Sequence, residues 1–299
     1  MNRRISMRGS QNGFTIVELI IALGIALIIV LGLYAFLVDT QRSYLNVTSN
    51  DQNDRRSKNA ATITQNLLQQ AGFVNYRRAR QNLGLEASTD TSVCSKWNKV
   101  CISSDDPSEI YVRYYGSSNE DSYPISSEFT AGPSLVNAGG DPDEPDMRMY
   151  DCSGRFLSNK HLVTEKLFLD EGNLYCEIVD DQMPGGDASE KRTGKTYLVE
   201  RNIEKFAAFA MPNCLDSSGK PVSAGCAFKK PSQITDWTDV IAVKFVLVQA
   251  EESGQKVMKR PDGEKFTLWG KSGEEIVYEA PADSKVRRML SASVFLRNE

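Results

Sequence analysis

Three sets of residues in this 299-residue chain carry groups able to do chemistry: six cysteines, one histidine and a short run of carboxylates. The cysteines are Cys94, Cys101, Cys152, Cys176, Cys214 and Cys226. An even number outside the cytoplasm points to disulfides, and six cysteines allow 15 connectivities, among which sequence alone does not choose. They fall into three successive local pairs, so Cys94–Cys101, Cys152–Cys176 and Cys214–Cys226 is the simplest pairing. No pair has C-x-x-C spacing, and the wide separations argue against a zinc site shared with His161. His161 stands beside a strand-like run with no G-x-S-x-G before it, so it reads as an exposed strand residue rather than a catalytic base. No G-x-x-x-x-G-K-[ST] or G-x-G-x-x-G string supports nucleotide binding. No catalytic residues, and no enzyme, are expected. The run "DPDEPD" places Asp141, Asp143, Glu144 and Asp146 close together. Calcium prefers such oxygen ligands. The spacing is not that of an EF-hand loop and the two prolines suit a stiff exposed connection; calcium is the one cofactor candidate.

A further carboxylate is placed more oddly. Glu18 lies near the start of "NGFTIVELIIALGIALIIVLGLYAF". The run from Phe14 to Val38 exceeds the roughly 20 apolar residues that a helix needs to cross a bilayer. Arg3, Arg4 and Arg8 precede it with no acid among them, which holds the amino terminus on the cytoplasmic side. A secretory signal has a shorter apolar core followed by a small-residue cleavage site, whereas here the small residue, Gly13, comes first. In lipid a carboxylate costs at least ~2.5–3.5 kcal/mol at the bilayer centre, and less near a helix end. An ordinary single-pass anchor gives Glu18 no partner to offset that cost.

The string "GFTIVE" resembles the signature of type IV prepilins: a short basic leader, a glycine, then Phe-Thr-x-x-Glu and an aliphatic helix. The resemblance implies cleavage by a prepilin peptidase after Gly13 and N-methylation of the new terminal Phe14. It also implies a partner for Glu18, the positive terminal amine of a neighbouring subunit. A paired buried charge is tolerable, and a fixed pair sets the register between apolar helices that otherwise slide. Further on, "YVRYYGSS", "DCSG", "LYC", "LVERNIEKF", "WTDVIAVKFVLV" and the terminal "LRN" resemble PilW-like minor pilins. The chain also resembles pseudopilin J of type II secretion, which shares the helix and the general head. The family helix commonly carries a proline, and none occurs here between Phe14 and Gly72.

These groups need elements to hold them. From Asp39 to Ala71 there is neither proline nor glycine, and Ala60, Ile63, Leu67 and Ala71 recur at three- and four-residue spacing. Gly72 stands where a helix C-terminal glycine belongs. The spacing predicts one helix from about Phe14 to Ala71, roughly 85 Å long. Beyond it come strand patterns: "EIYVRYYG", "HLVTEKLFLD" and "NLYCEIV" joined at "EG", "KTYLVE", "RNIEKFAAFA", "DVIAVKFVLVQA" and "RRMLSASVFLRN". In the longest, Ile241, Val243, Phe245 and Leu247 face one way and Ala242, Lys244, Val246 and Val248 the other. A long helix followed by strands reads as α+β, here a type IV pilin-like helix packed on an antiparallel β-sheet head.

The expected organisation is a leader at 1–13, a transmembrane and filament-core helix at 14–38, its amphipathic continuation at 39–72, and a periplasmic β-rich head at 73–299. About 220 residues are enough for a head with its own core. Loss of the three leader arginines moves the net charge from −4 to −7, given 35 basic and 39 acidic residues in the whole chain. That sign opposes non-specific nucleic-acid binding, and Arg77, Arg78 and Arg80 read as a solvated turn. The resemblance implies a minor pilin at the tip of a type IV pilus, which initiates assembly and displays a tip adhesin. Its partners are then the prepilin peptidase, other minor pilins, the major pilin, the inner-membrane assembly platform and the adhesin. Before assembly it is a single-pass inner-membrane protein with a periplasmic head; afterwards it is at the extracellular pilus tip. The alternatives are a pseudopilin-J-like secretion subunit and an anchored DNA- or surface-binding module.

Overall fold

The structure is a computed structural model. It describes residues 15–74, 97–104, 106–118, 148–182, 191–214, 227–252, 263–271, 274–283 and 285–296, with 85, 94 and 145 singly. The chain divides into two compact units, Met1–Gln52 and Asn53–Glu299. Helix α1 (Ile16–Gln70) supplies the described part of the first and opens the second.

Within the first unit, Ile16–Leu45 has a mean hydropathy of 3.0 and is long and apolar enough to cross a membrane. Its Leu, Ile and Val side chains are exposed on every side, as in Ile20, Leu23, Leu27 and Leu31. A helix apolar all round needs lipid or other helices around it. Two threonines on it satisfy their hydroxyls internally: Thr40 donates to the Phe36 carbonyl at 2.8 Å and Thr48 to that of Tyr44 at 2.9 Å.

In the second unit the helical stripe is buried as expected. Ala60, Leu67 and Ala71 are in the core and Ile63 is half-buried against it. Leu68 joins them, with Ser57 and Thr64 as buried polar members of the same face. The Ser57 hydroxyl is hydrogen-bonded to Gln249, and the Gln70 Oε1 accepts from the backbone N–H of Tyr150 at 2.9 Å. The helix stops at Gln70, one residue before the expected end. Gly72 adopts φ +78°, a conformation that glycine reaches at no steric cost, and its N–H donates to the Arg113 carbonyl at 3.0 Å.

Five strands then form an antiparallel meander: β1 (Val100–Ile102), β2 (Ile110–Tyr115), β3 (Leu162–Asp170), β4 (Asn173–Gln182) and β5 (Lys195–Arg201). The β3–β4 turn is the anticipated "EG". Glu171 and Gly172 both have positive φ, 45° and 76°, the hairpin geometry that matches strand twist. Gly116, just after β2, passes so close to the next loop that a Cβ there would meet the Ser158 carbonyl oxygen at 2.1 Å. Only glycine fits that crossing.

A second antiparallel sheet has the order β10-β7-β6, with β6 (Ile203–Pro212), β7 (Val240–Glu252) and β10 (Lys285–Phe295). A hairpin of β8 (Lys265–Lys271) and β9 (Glu274–Glu279) completes the fold. The main core joins the helical stripe to both larger sheets through Val112, Cys176, Phe206, Val243, Phe245, Leu247 and Val294. The opposite face of β7 packs Val246 and Val248 against Leu268 and Trp269 of β8. Burial on both faces explains why β7 is almost continuously apolar. The sequence reading missed β1, β8 and β9: β1 is three residues long, and β8–β9 shows its alternation only weakly among Lys, Gly and Glu.

Candidate functional site

At the amino-terminal end, Gly13 and Phe14 lie outside the described residues. Thr15 caps the helix: its Oγ1 accepts from the Glu18 N–H at 3.3 Å, and its carbonyl accepts from the Leu19 N–H at 3.2 Å. Thr15 and Glu18 thus have the spacing of a helix-capping pair. The sequence reading assigned Glu18 to assembly and overlooked Thr15, although T-x-x-E ahead of an apolar run is the signal for such a cap. Glu18 lies in the first helical turn, where the positive end of the helix dipole favours a carboxylate. Among the described residues no cation is paired with it. Its side chain is exposed, ringed by exposed Ile, Val and Leu.

In the head, the "DCSG" turn is held by Asp151, whose Oδ1 accepts from the N–H groups of Ser153 at 2.9 Å and Arg155 at 3.1 Å. The Arg155 guanidinium bridges Asp151 at 2.9 Å and Asp181 at 2.7 Å. His161 Nδ1 lies 2.7 Å from Asp181 Oδ1, and the Arg192 N–H donates to Asp181 Oδ2 at 3.2 Å. One carboxylate at the end of β4 therefore gathers the turn, the residue before β3 and the residues before β5. Burial raises the pKa of Asp181, but the hydrogen bonds from His161 and Arg155 outweigh it and lower the value to about 2. The expectation of an exposed His161 on a strand is incorrect. It is 6% exposed and precedes β3. The imidazole is drawn inward because Asp181, twenty residues on, returns beside it across the hairpin. With Nδ1 committed to a buried carboxylate and Arg155 alongside, this cluster acts as a clasp between strands.

Next to the clasp stands Glu165 on β3, 1% exposed, accepting from the Cys152 N–H at 2.6 Å. The nearby Tyr114 hydroxyl donates to the Tyr150 carbonyl at 2.9 Å. Burial raises the Glu165 pKa from 4.5 to about 8, only partly offset by the Cys152 N–H and by Tyr114. The folded head therefore binds one more proton than the unfolded chain between about 4.5 and 8, and it loses stability as the pH rises through that window. Glu165→Gln keeps the shape and removes the titration. Denaturant unfolding of the two proteins at pH 5 and pH 8 is expected to show a smaller loss for the variant. An equal loss would mean that Glu165 does not carry the effect.

Disulfides join Cys94 to Cys101 and Cys152 to Cys176, with Cα separations of 6.2 and 5.9 Å. The first ties residue 94 to β1; the second ties the "DCSG" turn to β4. Cys214 is also disulfide-bonded, and Cys226 lies outside the described residues. So do the candidate calcium ligands Asp141, Asp143, Glu144 and Asp146, and the arginines at 77, 78 and 80. Cys152 and Cys176 are far apart in sequence, yet their sulfurs and a Glu165 carboxylate oxygen lie within 4.8 Å of one another.

Residues 8–34 match the family described as the prokaryotic N-terminal methylation motif. No curated protein matches the chain. Among solved structures, the chain is similar to a type IV-like pilin from Thermus thermophilus at 11% identity. That similarity covers 81% of this chain and 94% of the other, with a TM-score of 0.42. The match at residues 8–34 runs directly into α1, and together they fit membrane anchoring by a single span. The chain carries a prokaryotic N-terminal methylation motif, at the start of a membrane-length helix that leads into antiparallel β-sheets.

Proposed function

We propose that this protein is a minor pilin of a type IV pilus, a tip-complex subunit that initiates assembly and displays a tip adhesin. The observation that carries the reading is the continuity of the methylation motif at 8–34 with a helix exposed and apolar on all sides from Ile16 to Leu45. Such a helix is stable in lipid before assembly and among other subunits' helices after it. In this reading prepilin peptidase removes 1–13 and methylates Phe14, 14–38 forms the membrane and filament-core segment, and the head faces the periplasm. Glu18 pairs with the methylated amine of a neighbouring subunit. Other minor pilins, the major pilin and the assembly platform are its partners. A third bridge, Cys214–Cys226, closes its own loop, and the 141–146 carboxylates are a candidate calcium site.

Mass spectrometry of sheared filaments tests this. The expected amino terminus is methylated Phe14, at an abundance far below that of the major subunit. A digest without reductant is expected to contain a Cys214–Cys226 peptide, and soaking in chelator tests for calcium. An intact leader in assembled filaments overturns the prepilin assignment, and abundance equal to the major subunit overturns the minor role.

A further inference from the structure

We infer that Cys152, Cys176 and Glu165 form a latent site for a soft divalent cation, closed by the Cys152–Cys176 disulfide and opened by its reduction. One ligand atom from each residue lies within 4.8 Å of the others. Three separate elements bring them together. Cys152 follows the clasped Asp151, Cys176 is central in β4, and Glu165 stands on β3 at a register shift between Thr164 and Glu165. The extra residue of that shift, Val179, is on β4, so Glu165 keeps the plain alternation of β3 and shares the core face with Val163 and Leu167.

The second observation concerns Glu165 itself. It is buried, its Oε1 is used by the Cys152 N–H, and its Oε2 accepts no hydrogen bond among the described residues, because the neighbouring Tyr114 hydroxyl is committed to the Tyr150 carbonyl. A buried polar atom left unpaired is costly and uncommon. A cation between the carboxylate and the two sulfurs supplies the missing partner. Two thiolates and one carboxylate suit a zinc-like ion, with bonds of about 2.3 Å to sulfur and about 2.0–2.2 Å to oxygen. Once the bridge is opened, the two sulfurs must part from bonding distance to about 3.7 Å, the separation that two bonds of about 2.3 Å subtend at a tetrahedral ion. Three protein ligands leave a fourth position for water on the side of Cys152, the partly exposed member of the set. Calcium and magnesium want six or more oxygens and are not served by this set.

The redox step balances simply. A phosphine takes the oxygen of one water, the S–S bond breaks, and two thiols and a phosphine oxide result. Cation binding then displaces the protons of both thiols and of the carboxyl group. In the oxidised head neither sulfur is a thiolate, so the ligand set does not exist. Cation and oxidant compete for the same sulfur pair, and in a newly exported, reduced chain the cation holds Cys152 beside Cys176 before the bond forms.

The test uses the full chain in detergent micelles, reduced with a water-soluble phosphine, freed of it under nitrogen, and titrated with Co²⁺ as the probe. The oxidised protein is expected to show no thiolate-to-cobalt charge-transfer band. The reduced protein is expected to bind one Co²⁺ with a tetrahedral spectrum that Zn²⁺ abolishes. Glu165→Gln is expected to weaken binding at least about tenfold, the size of effect seen when metal-supporting groups are lost. Cys152→Ser with Cys176→Ser is expected to eliminate the band while the other cysteines remain. Any of three results overturns the site: no band in the reduced protein, whether or not its circular dichroism is retained; an undiminished band in the double serine variant; or equal affinity in Glu165→Gln.

Discussion

Glu18→Ala is expected to leave the chain in the inner membrane and remove it almost entirely from filaments. In lipid the substitution removes a charge whose burial costs energy, so insertion is unaffected or favoured. Under the proposed function, the carboxylate offsets the terminal amine of a neighbouring subunit in the filament. Deleting one partner of a desolvated ion pair costs about 3–5 kcal/mol, because the other charge is left buried and unpaired. Each 1.4 kcal/mol is a factor of about ten, so incorporation is expected to fall roughly 100-fold or more. The helix start itself survives, since the Thr15 cap uses the backbone N–H of residue 18 and not its side chain. The described core of the head begins at Ala60, within the second unit, so head stability and its disulfides are expected to be unchanged. Quantifying the protein in sheared filaments and in membrane fractions checks both halves. Glu18→Gln separates charge from shape and is expected to fail as Glu18→Ala does. Equal incorporation of either variant would mean that no such pair forms around this subunit.

The second large effect is expected in the head. Asp181→Ala removes the carboxylate shared by Arg155 and His161 and the acceptor for the Arg192 N–H. Arg155 keeps Asp151, but His161, 6% exposed, is left beside nothing that satisfies Nδ1. Loss of about 3–5 kcal/mol is expected, equivalent to a fall in Tm on the order of 10 °C for a domain of this size. The pH profile changes as well. A carboxylate held at about 2 against an ordinary 3.8 contributes stability that is fully present above 3.8 and is lost as the pH falls toward 2. The variant is expected to lose that acid-sensitive component. The control is Lys265→Ala, which breaks an ion pair exposed at both ends, to Glu279, and is expected to melt with the wild type. Thermal unfolding by circular dichroism at neutral and acidic pH measures both. A loss below about 1 kcal/mol would show that the clasp is not a structural keystone.

What the sequence by itself determined is whatever is encoded within a few consecutive residues. The uninterrupted apolar run fixes a membrane-length helix whatever surrounds it. The stripe Ala60, Ile63, Leu67 and Ala71 names the face that the helix buries, because 3.6-residue periodicity leaves no other face apolar. Gly72 ends the helix and Glu171-Gly172 turns the β3–β4 hairpin, since each position demands a φ that few residues adopt. "GFTIVE" is likewise a contiguous string. The tertiary structure decided the pairings. Nothing near His161 announces that Asp181 returns beside it, because that meeting depends on the β3–β4 register and on the clasped turn at 151–155. Glu165 meets the Cys152–Cys176 bridge for the same reason. The two faces of β7 are both apolar in sequence. Only the packing of β8 and β9 shows that the second face has its own cover, since strand alternation reports burial but not what does the burying.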